Sequence, residues 1–320
     1  MMDVLDYILL TTLAAIVVSL FVIIYLKVTI GRCVSKADLS GKTAIVTGAN
    51  TGIGFYTALD FATRNARVIL ACRNEKKAKV ACDQIRQETG NENVSVGIID
   101  LCSLKSVRKF AEEFLKVERR LDILVNNASV LGLPKEITED GLESMFAANH
   151  FGPFLLTTLL LDLMKKTGKA RIITVSSLVN KFGRIDFENL RSEKSFDRFR
   201  IYNDSKLANV IFTKELARRL EGTGVTANCL HPGTIRTELL RNIPSCVQIP
   251  ISLFGCLFFK SPEDGAQTTI HCSVSEELEG VSGRYFCDCR DADKSVNPVA
   301  HDLGIAKKLW EISEKYTHLK

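Results

Sequence analysis

No two cysteines in this sequence have the C-x-x-C spacing, although ten cysteines are present. Their irregular positions exclude a zinc ribbon, and Cys287 and Cys289 stand too close together for a zinc knuckle. Reduced thiols facing the cytosol are expected, not a disulfide framework and not a metal centre. Lys and Arg number 42 against 37 Asp and Glu, a net charge of +5, but they form no basic block of the kind that binds nucleic acid. No internal repeat, low-complexity tract or Pro/Gly linker interrupts residues 38–320, so one domain is expected there. No Lys or Arg precedes the first apolar run; only Asp3 and Asp6 do, whereas a cleaved signal peptide starts with a basic region.

That apolar run, Tyr7–Leu26, reads YILLTTLAAIVVSLFVIIYL and carries no charge. As a helix it spans about 30 Å, the hydrocarbon thickness of a bilayer. Lys27, Arg32 and Lys36 follow it, which puts the following chain on the cytosolic side. The expected organisation is therefore a single-pass membrane anchor with a short basic linker, residues 1–37, and a cytosolic domain, residues 38–320. Three N-x-S acceptors, at Asn93, Asn127 and Asn203, would then lie out of reach of the glycosylation machinery.

Beyond the linker, apolar strand-like runs alternate with helical patterns. Thr43–Thr47, Arg67–Cys72, Val94–Ile99, Ile123–Val125, Arg171–Val175 and Val225–Leu230 read as strands. Continuous Val, Ile and Leu runs separated by helices predict an α/β fold, a doubly wound parallel sheet of Rossmann type covered on both faces. The stretch Ile243–Phe259 is apolar but broken by Pro244, Pro250 and Gly255. It is expected as a lid or a membrane contact within a substrate-binding region of about 238–262, with plain core as the competing reading.

The first strand runs into VTGANTGIG, Val46–Gly54. Gly48, Gly52 and Gly54 sit where a strand turns into a helix. Such a turn lets a diphosphate approach the helix N-terminal amides, here around Asn50, Thr51 and Ile53. The second strand ends in Cys72, where an acid would bind the ribose hydroxyls of NAD, and Arg73 follows. Arginine pairs with a 2′-phosphate, so NADP(H) is the expected cofactor. Asp100, ending the third strand, is placed to accept from the adenine amino group.

Tyr202 and Lys206 lie four apart in the helical run YNDSKLANVIFTKELARRL, on one face. A phenol there can donate a proton to a carbonyl oxygen as hydride reaches the carbon. A neighbouring ammonium stabilises the phenolate and lowers the phenol's pKa. The surrounding motifs are NNAS (Asn126–Ser129), AANHFGPF (Ala147–Phe154), ITVSS (Ile173–Ser177) and HPGTIRT (His231–Thr237). In this order they resemble the short-chain dehydrogenase/reductase family. TGANTGIG, ACRN, SKLANVIFTKELARRL, HPGTIRTELL and EDGAQTTIHC look like its membrane-anchored retinol dehydrogenase subfamily.

The resemblance covers about residues 38–290. It implies an NADP(H)-dependent reductase of retinal or related lipophilic aldehydes in the endoplasmic reticulum membrane. A steroid or lipid-peroxidation-aldehyde reductase is the alternative; a non-catalytic scaffold is disfavoured because the catalytic groups are all present. It also implies roles. Ser177, rather than Ser176, bonds the substrate oxygen, Asn149 holds a relay water, and Asn127, Pro232, Gly233 and Thr237 contact the cofactor. Lys206 also holds the nicotinamide ribose. Whether the protein forms an oligomer stays open. Two positions depart from the family pattern. Ser129 replaces a glycine and narrows the channel slightly, and Pro153 removes a backbone donor beside Asn149. His150 is expected to point away from the site, and His231 to shape its loop.

Overall fold

The computed structural model describes residues 3–235 and 259–319. Its centre is one sheet of eight strands in the order β3-β2-β1-β4-β5-β6-β7-β8. The strands are β1 Thr43–Thr47, β2 Arg67–Cys72, β3 Val94–Ile98, β4 Ile123–Asn126, β5 Ala170–Val175, β6 Val225–His231, β7 Tyr285–Cys287 and β8 Arg290–Asp291. All pair in parallel except β7 with β8. The chain winds outward from β1 to β3, then returns to place β4 on the other side of β1, with Ile45 between Ile69 and Leu124. That reversal opens a crevice at the carboxyl ends of β1 and β4, the place where open α/β sheets bind ligands.

β1 and β4 are buried along their whole length, as their apolar centres Ala44–Val46 and Ile123–Val125 require. Alternate residues feed two layers. Ile45 and Leu124 join Phe151, Phe154 and Trp310 on one face; Val46 and Val125 join Phe61, Leu70 and Ile270 on the other. Among the described residues the α-helices are α1 Val4–Val28, α2 Gly52–Thr63, α3 Glu75–Thr89, α4 Leu104–Val117, α5 Ser144–Thr167, α6 Arg198–Arg219, α7 Pro262–Val274 and α8 Leu303–Tyr316. Within α5, Ala147–Phe151 forms a π-helical turn.

The predicted strands stand within a residue of those found. β7 and β8 were not predicted, because three and two residues leave no alternating pattern to read. Asn74 caps α3 and accepts from the Lys77 amide at 2.9 Å.

Among the described residues, α1 and α5 are long and apolar, with different surroundings. In α5 83% of the apolar window is buried, so its hydrophobicity serves the core. In α1 the side chains of Tyr7, Leu9, Leu13, Val18 and Phe21 are exposed. At 25 residues this helix is about 37 Å long. The basic stretch after it, expected as a linker, lies on the domain. Arg32 pairs with Asp264 at 2.9 Å, the Cys33 amide donates to Gln267 Oε1 at 3.1 Å, and Arg64 donates to the Ala37 carbonyl at 3.1 Å. Most of the broken apolar stretch 243–259 lies outside the described residues.

α6 matters most for the site. Asp197 caps it, accepting from the Phe199 and Arg200 amides at 2.9 Å. α8 clamps its far side: Trp310 stacks on Phe212 at 5.9 Å and meets Phe154 edge-on at 5.0 Å. The Arg219 guanidinium lies 4.1 Å over the Trp310 ring. His150 is buried in the same layer between Asn209 and Ser313. Burial lowers its pKa to about 4, so it is a neutral core group.

Candidate active site

A cavity of about 1000 Å³ opens over the carboxyl ends of β1, β4, β5 and β6. That is room for a dinucleotide with a second molecule beside it. One end is the turn after β1. Gly48 and Gly52 have φ of 66° and 61°, a conformation that side chains rarely adopt. Gly54 has a different reason. A Cβ there would fall 2.5 Å from Asn127 Nδ2 and 2.6 Å from the Gly48 carbonyl, so the protein's own packing, not a ligand, requires it. Thr51 makes no side-chain cap on α2, and the first turn holds no acid. Asn50, Thr51, Gly52 and Ile53 line the cavity with the positive end of that helix, which fits a diphosphate.

Asn127 is fixed by Thr47. Its Nδ2 donates to the Thr47 carbonyl at 2.7 Å and its backbone amide to Thr47 Oγ1 at 2.9 Å. Thr47 thus ties the end of β1 to the segment after β4; its hydroxyl at a strand's carboxyl end was the available signal. Farther along, Cys72 is buried and its thiol is raised to about 11 by burial, hence neutral. Arg73 is exposed on the rim, 3.9 Å from Asp100. Lys77 also lines this end. Sequence reading passed over it, although it lies in the first turn of the helix that follows Arg73.

At the other end α6 presents Tyr202 and Lys206 one turn apart. The Tyr202 phenol bonds to Ser177 and Ser129, and burial raises its pKa to about 12. Lys206 is 1% exposed; its Nζ donates to the Val175 carbonyl at 3.0 Å and lies 5.5 Å from the Tyr202 ring. Burial lowers its pKa to about 7. Burial thus moves the two groups in opposite directions, raising the phenol and lowering the amine, and the bonds from Ser129 and Ser177 offset only part of the rise. Ser176 is turned into the fold, donating to the Lys206 carbonyl at 2.7 Å, so Ser177 is the serine left for the phenol.

Asn149 sits behind this cluster. Its Oδ1 accepts from the Val130 amide at 2.8 Å and Ser129 Oγ at 3.1 Å; its Nδ2 donates to the Val130 carbonyl at 3.0 Å and Ser205 Oγ at 3.1 Å. All four capacities of the amide are used, leaving none for a relay water. Pro153 removes the donor that an unbroken α-helix would bring to the Asn149 carbonyl, and the helix widens there to the π-turn. Ser129, expected only as a slight narrowing, bridges instead. Its hydroxyl donates to Asn149 Oδ1 at 3.1 Å and also bonds the phenol.

Pro232 and Gly233 line the wall beside β6, Gly233 with φ 95°. His231 is buried; burial lowers its pKa to about 4, and its Nδ1 has no partner among the described residues. Thr237 lies outside the described residues.

The short chain dehydrogenase family profile matches residues 42–247. Retinol dehydrogenase 13 of Mus musculus is 49% identical, covering 90% of this chain and 87% of that protein. Retinol dehydrogenase 14 of the same species is 48% identical over 86% of each chain, and retinol dehydrogenase 12 of Homo sapiens 46% over 88% of each. Among solved structures, an uncharacterised protein from Mycobacterium paratuberculosis has a TM-score of 0.73 at 31% identity, covering 90% of this chain and 98% of that one. One described as an NAD(P)-dependent gluconate 5-dehydrogenase from Beutenbergia cavernae, with bound NADP, has a TM-score of 0.64 at 25% identity, covering 78% and 96%.

The buried ammonium makes a direct prediction. Burial disfavours the charged form, so Lys206 should be charged below about pH 7 and neutral above it. In ¹³C-lysine-labelled protein, the resonance lost in Lys206→Met should titrate near 7. A midpoint at the ordinary lysine value of about 10.4 would contradict the described burial.

Proposed function

Because the chain belongs to the short-chain dehydrogenase family, we propose that it reduces lipophilic aldehydes with NADPH, with all-trans-retinal first among its substrates. The observation that carries this reading is the Tyr202 phenol, held between Ser177 and Ser129 one turn from Lys206, on the wall of a cavity whose far rim carries Arg73. Likeness to retinol dehydrogenases over most of the chain supports the substrate class.

In this reading the bound nicotinamide supplies the hydride. Gly48, Gly52 and the first turn of α2 hold the diphosphate, Asp100 the adenine, and Arg73 the 2′-phosphate. Asn127, Pro232, Gly233 and Lys206 take the nicotinamide half, with Thr237 beside them. The phenol keeps its proton at neutral pH because burial raises its pKa, which suits donation to the carbonyl oxygen. Ser177 shares the developing charge. Asn149 positions Ser129 and the Tyr202–Ser205 turn, and any relay water sits on its backbone carbonyl, not its side chain.

α1 is the proposed single-pass anchor in the endoplasmic reticulum membrane, with the domain on the cytosolic side. Gly31, packed on the domain, is only three residues past Val28, at most about 11 Å of chain. The domain is therefore held close to the bilayer in which a lipophilic aldehyde dissolves.

Replacing Tyr202 by Phe should lower kcat by on the order of 10²-fold or more while leaving NADPH affinity near the parental value. Preserved turnover would refute the assigned proton donor. Arg73→Ala should raise KM for NADPH about ten-fold and leave that for NADH nearly unchanged, since a charge-assisted contact to phosphate is lost. An equal effect on both would mean that Arg73 does not meet the 2′-phosphate. For topology, Asn93 is the reporter, being exposed before β3. Protein made in cells should stay with membranes after carbonate washing, show no mobility shift with an N-glycan-removing enzyme, and lose its domain to protease added to sealed microsomes. A glycan on Asn93 would reverse the orientation.

A further inference from the structure

We infer that Lys260 and Asp288 are a positioning pair for the cavity wall at Pro232–Gly233, and that the segment leaving the anchor holds this pair in place. The inference rests on the NADP(H) reading above and names how the nicotinamide end of that site is kept in shape.

The Gly233 turn is roofed by Lys260. A Cβ on Gly233 would fall 2.7 Å from Lys260 Cδ and 2.8 Å from Cε, so the lysine stem fills the space a side chain would take. The Lys260 backbone is tied to the same turn: its amide donates to the Thr234 carbonyl at 2.9 Å, and it bridges Ile235. The ammonium pairs with Asp288, the lysine side chain being 12% exposed and the aspartate 38%. A long flexible stem keeps one geometry only if its head is held. Neither residue lines the cavity, so the pair acts through Gly233.

Asp288 is itself fixed from two sides. With Cys289 it forms the two-residue turn between β7 and β8, and both have left-handed φ, 50° and 57°. Aspartate is common at the first position of such a turn, but glycine is usual where Cys289 stands, so neighbouring contacts must hold this one. On one side the Cys289 amide donates to Thr268 Oγ1 of α7 at 3.3 Å. On the other, Gly31 lies so close that a Cβ on it would be 1.9 Å from the Asp288 carbonyl oxygen. Gly31 is kept there by its neighbours, through Arg32 to Asp264 and the Cys33 amide to Gln267, both on α7. Contacts thus run without a gap from the end of α1 through Gly31, Asp288 and Lys260 to Gly233.

The test uses full-length protein in detergent micelles, with NADPH binding measured by calorimetry and reduction measured alongside. Asp288→Asn, nearly isosteric and on a partly exposed group, should raise the Kd for NADPH about ten-fold, equivalent to about 1.4 kcal/mol, with kcat nearly unchanged. Lys260→Met should do the same, and Lys260→Arg should restore affinity. Gly31→Val should weaken NADPH in the same direction although it lies outside the cavity. Parental affinity in both Asp288→Asn and Lys260→Met would overturn the positioning pair; parental affinity in Gly31→Val alone would overturn the part played by the anchor segment. Parental protein that does not bind NADPH would sink the cofactor reading and this inference together, whereas binding without reduction of retinal would sink only the substrate.

Discussion

Putting a lysine amine where only 1% of its surface meets solvent is costly, and the rest of this site is arranged around that burial. Lys206 has the Val175 carbonyl as its acceptor, at the end of β5, so α6 must lie on the sheet at one height and one rotation. Ser176 bonds the Lys206 carbonyl and locks the same contact from the other direction. Once α6 is so placed, Tyr202 arrives one turn earlier beside Ser177 and Ser129. The clamp by Trp310 and the pairing of buried Glu215 with the partly exposed Arg218 and Arg219 hold the distal half of the helix. Stability far from the cavity thereby becomes precision within it.

Much of the fold was legible because its strands are buried on both faces. Runs such as TAIVT and RVILAC need no partner to be recognised. The β7–β8 hairpin was not legible: its strands are too short, and its turn holds Cys289 where glycine is usual. The packed segment after α1 escaped for a related reason. Arg32 and Lys36 look like a solvated basic linker, and only the fold brings Asp264, Gln267 and Asp288 beside that segment.

In the site, residue types were easier to read than their connections. Gly48 and Gly52 follow from the turn, but Gly54 answers to the Asn127 side chain, which comes from a different strand. At Asn149, only the folded geometry shows the side-chain amide saturated by Val130, Ser129 and Ser205. Ser129 looked like a small obstruction and is instead the link between Asn149 and the phenol. For Tyr202, four-residue spacing reports proximity to Lys206 but not the desolvation that both groups share, which raises the phenol and lowers the amine.

The central claim is that hydride passes from NADPH to an aldehyde carbon while Tyr202 gives the proton. The most direct measurement incubates the full-length protein, in lipid bilayers containing all-trans-retinal, with NADPH deuterated at nicotinamide C4 and analyses the alcohol by mass spectrometry. Retinol carrying one deuterium at its carbinol carbon is the predicted result when the label occupies the face that reacts. Unlabelled retinol with either C4 epimer would contradict it.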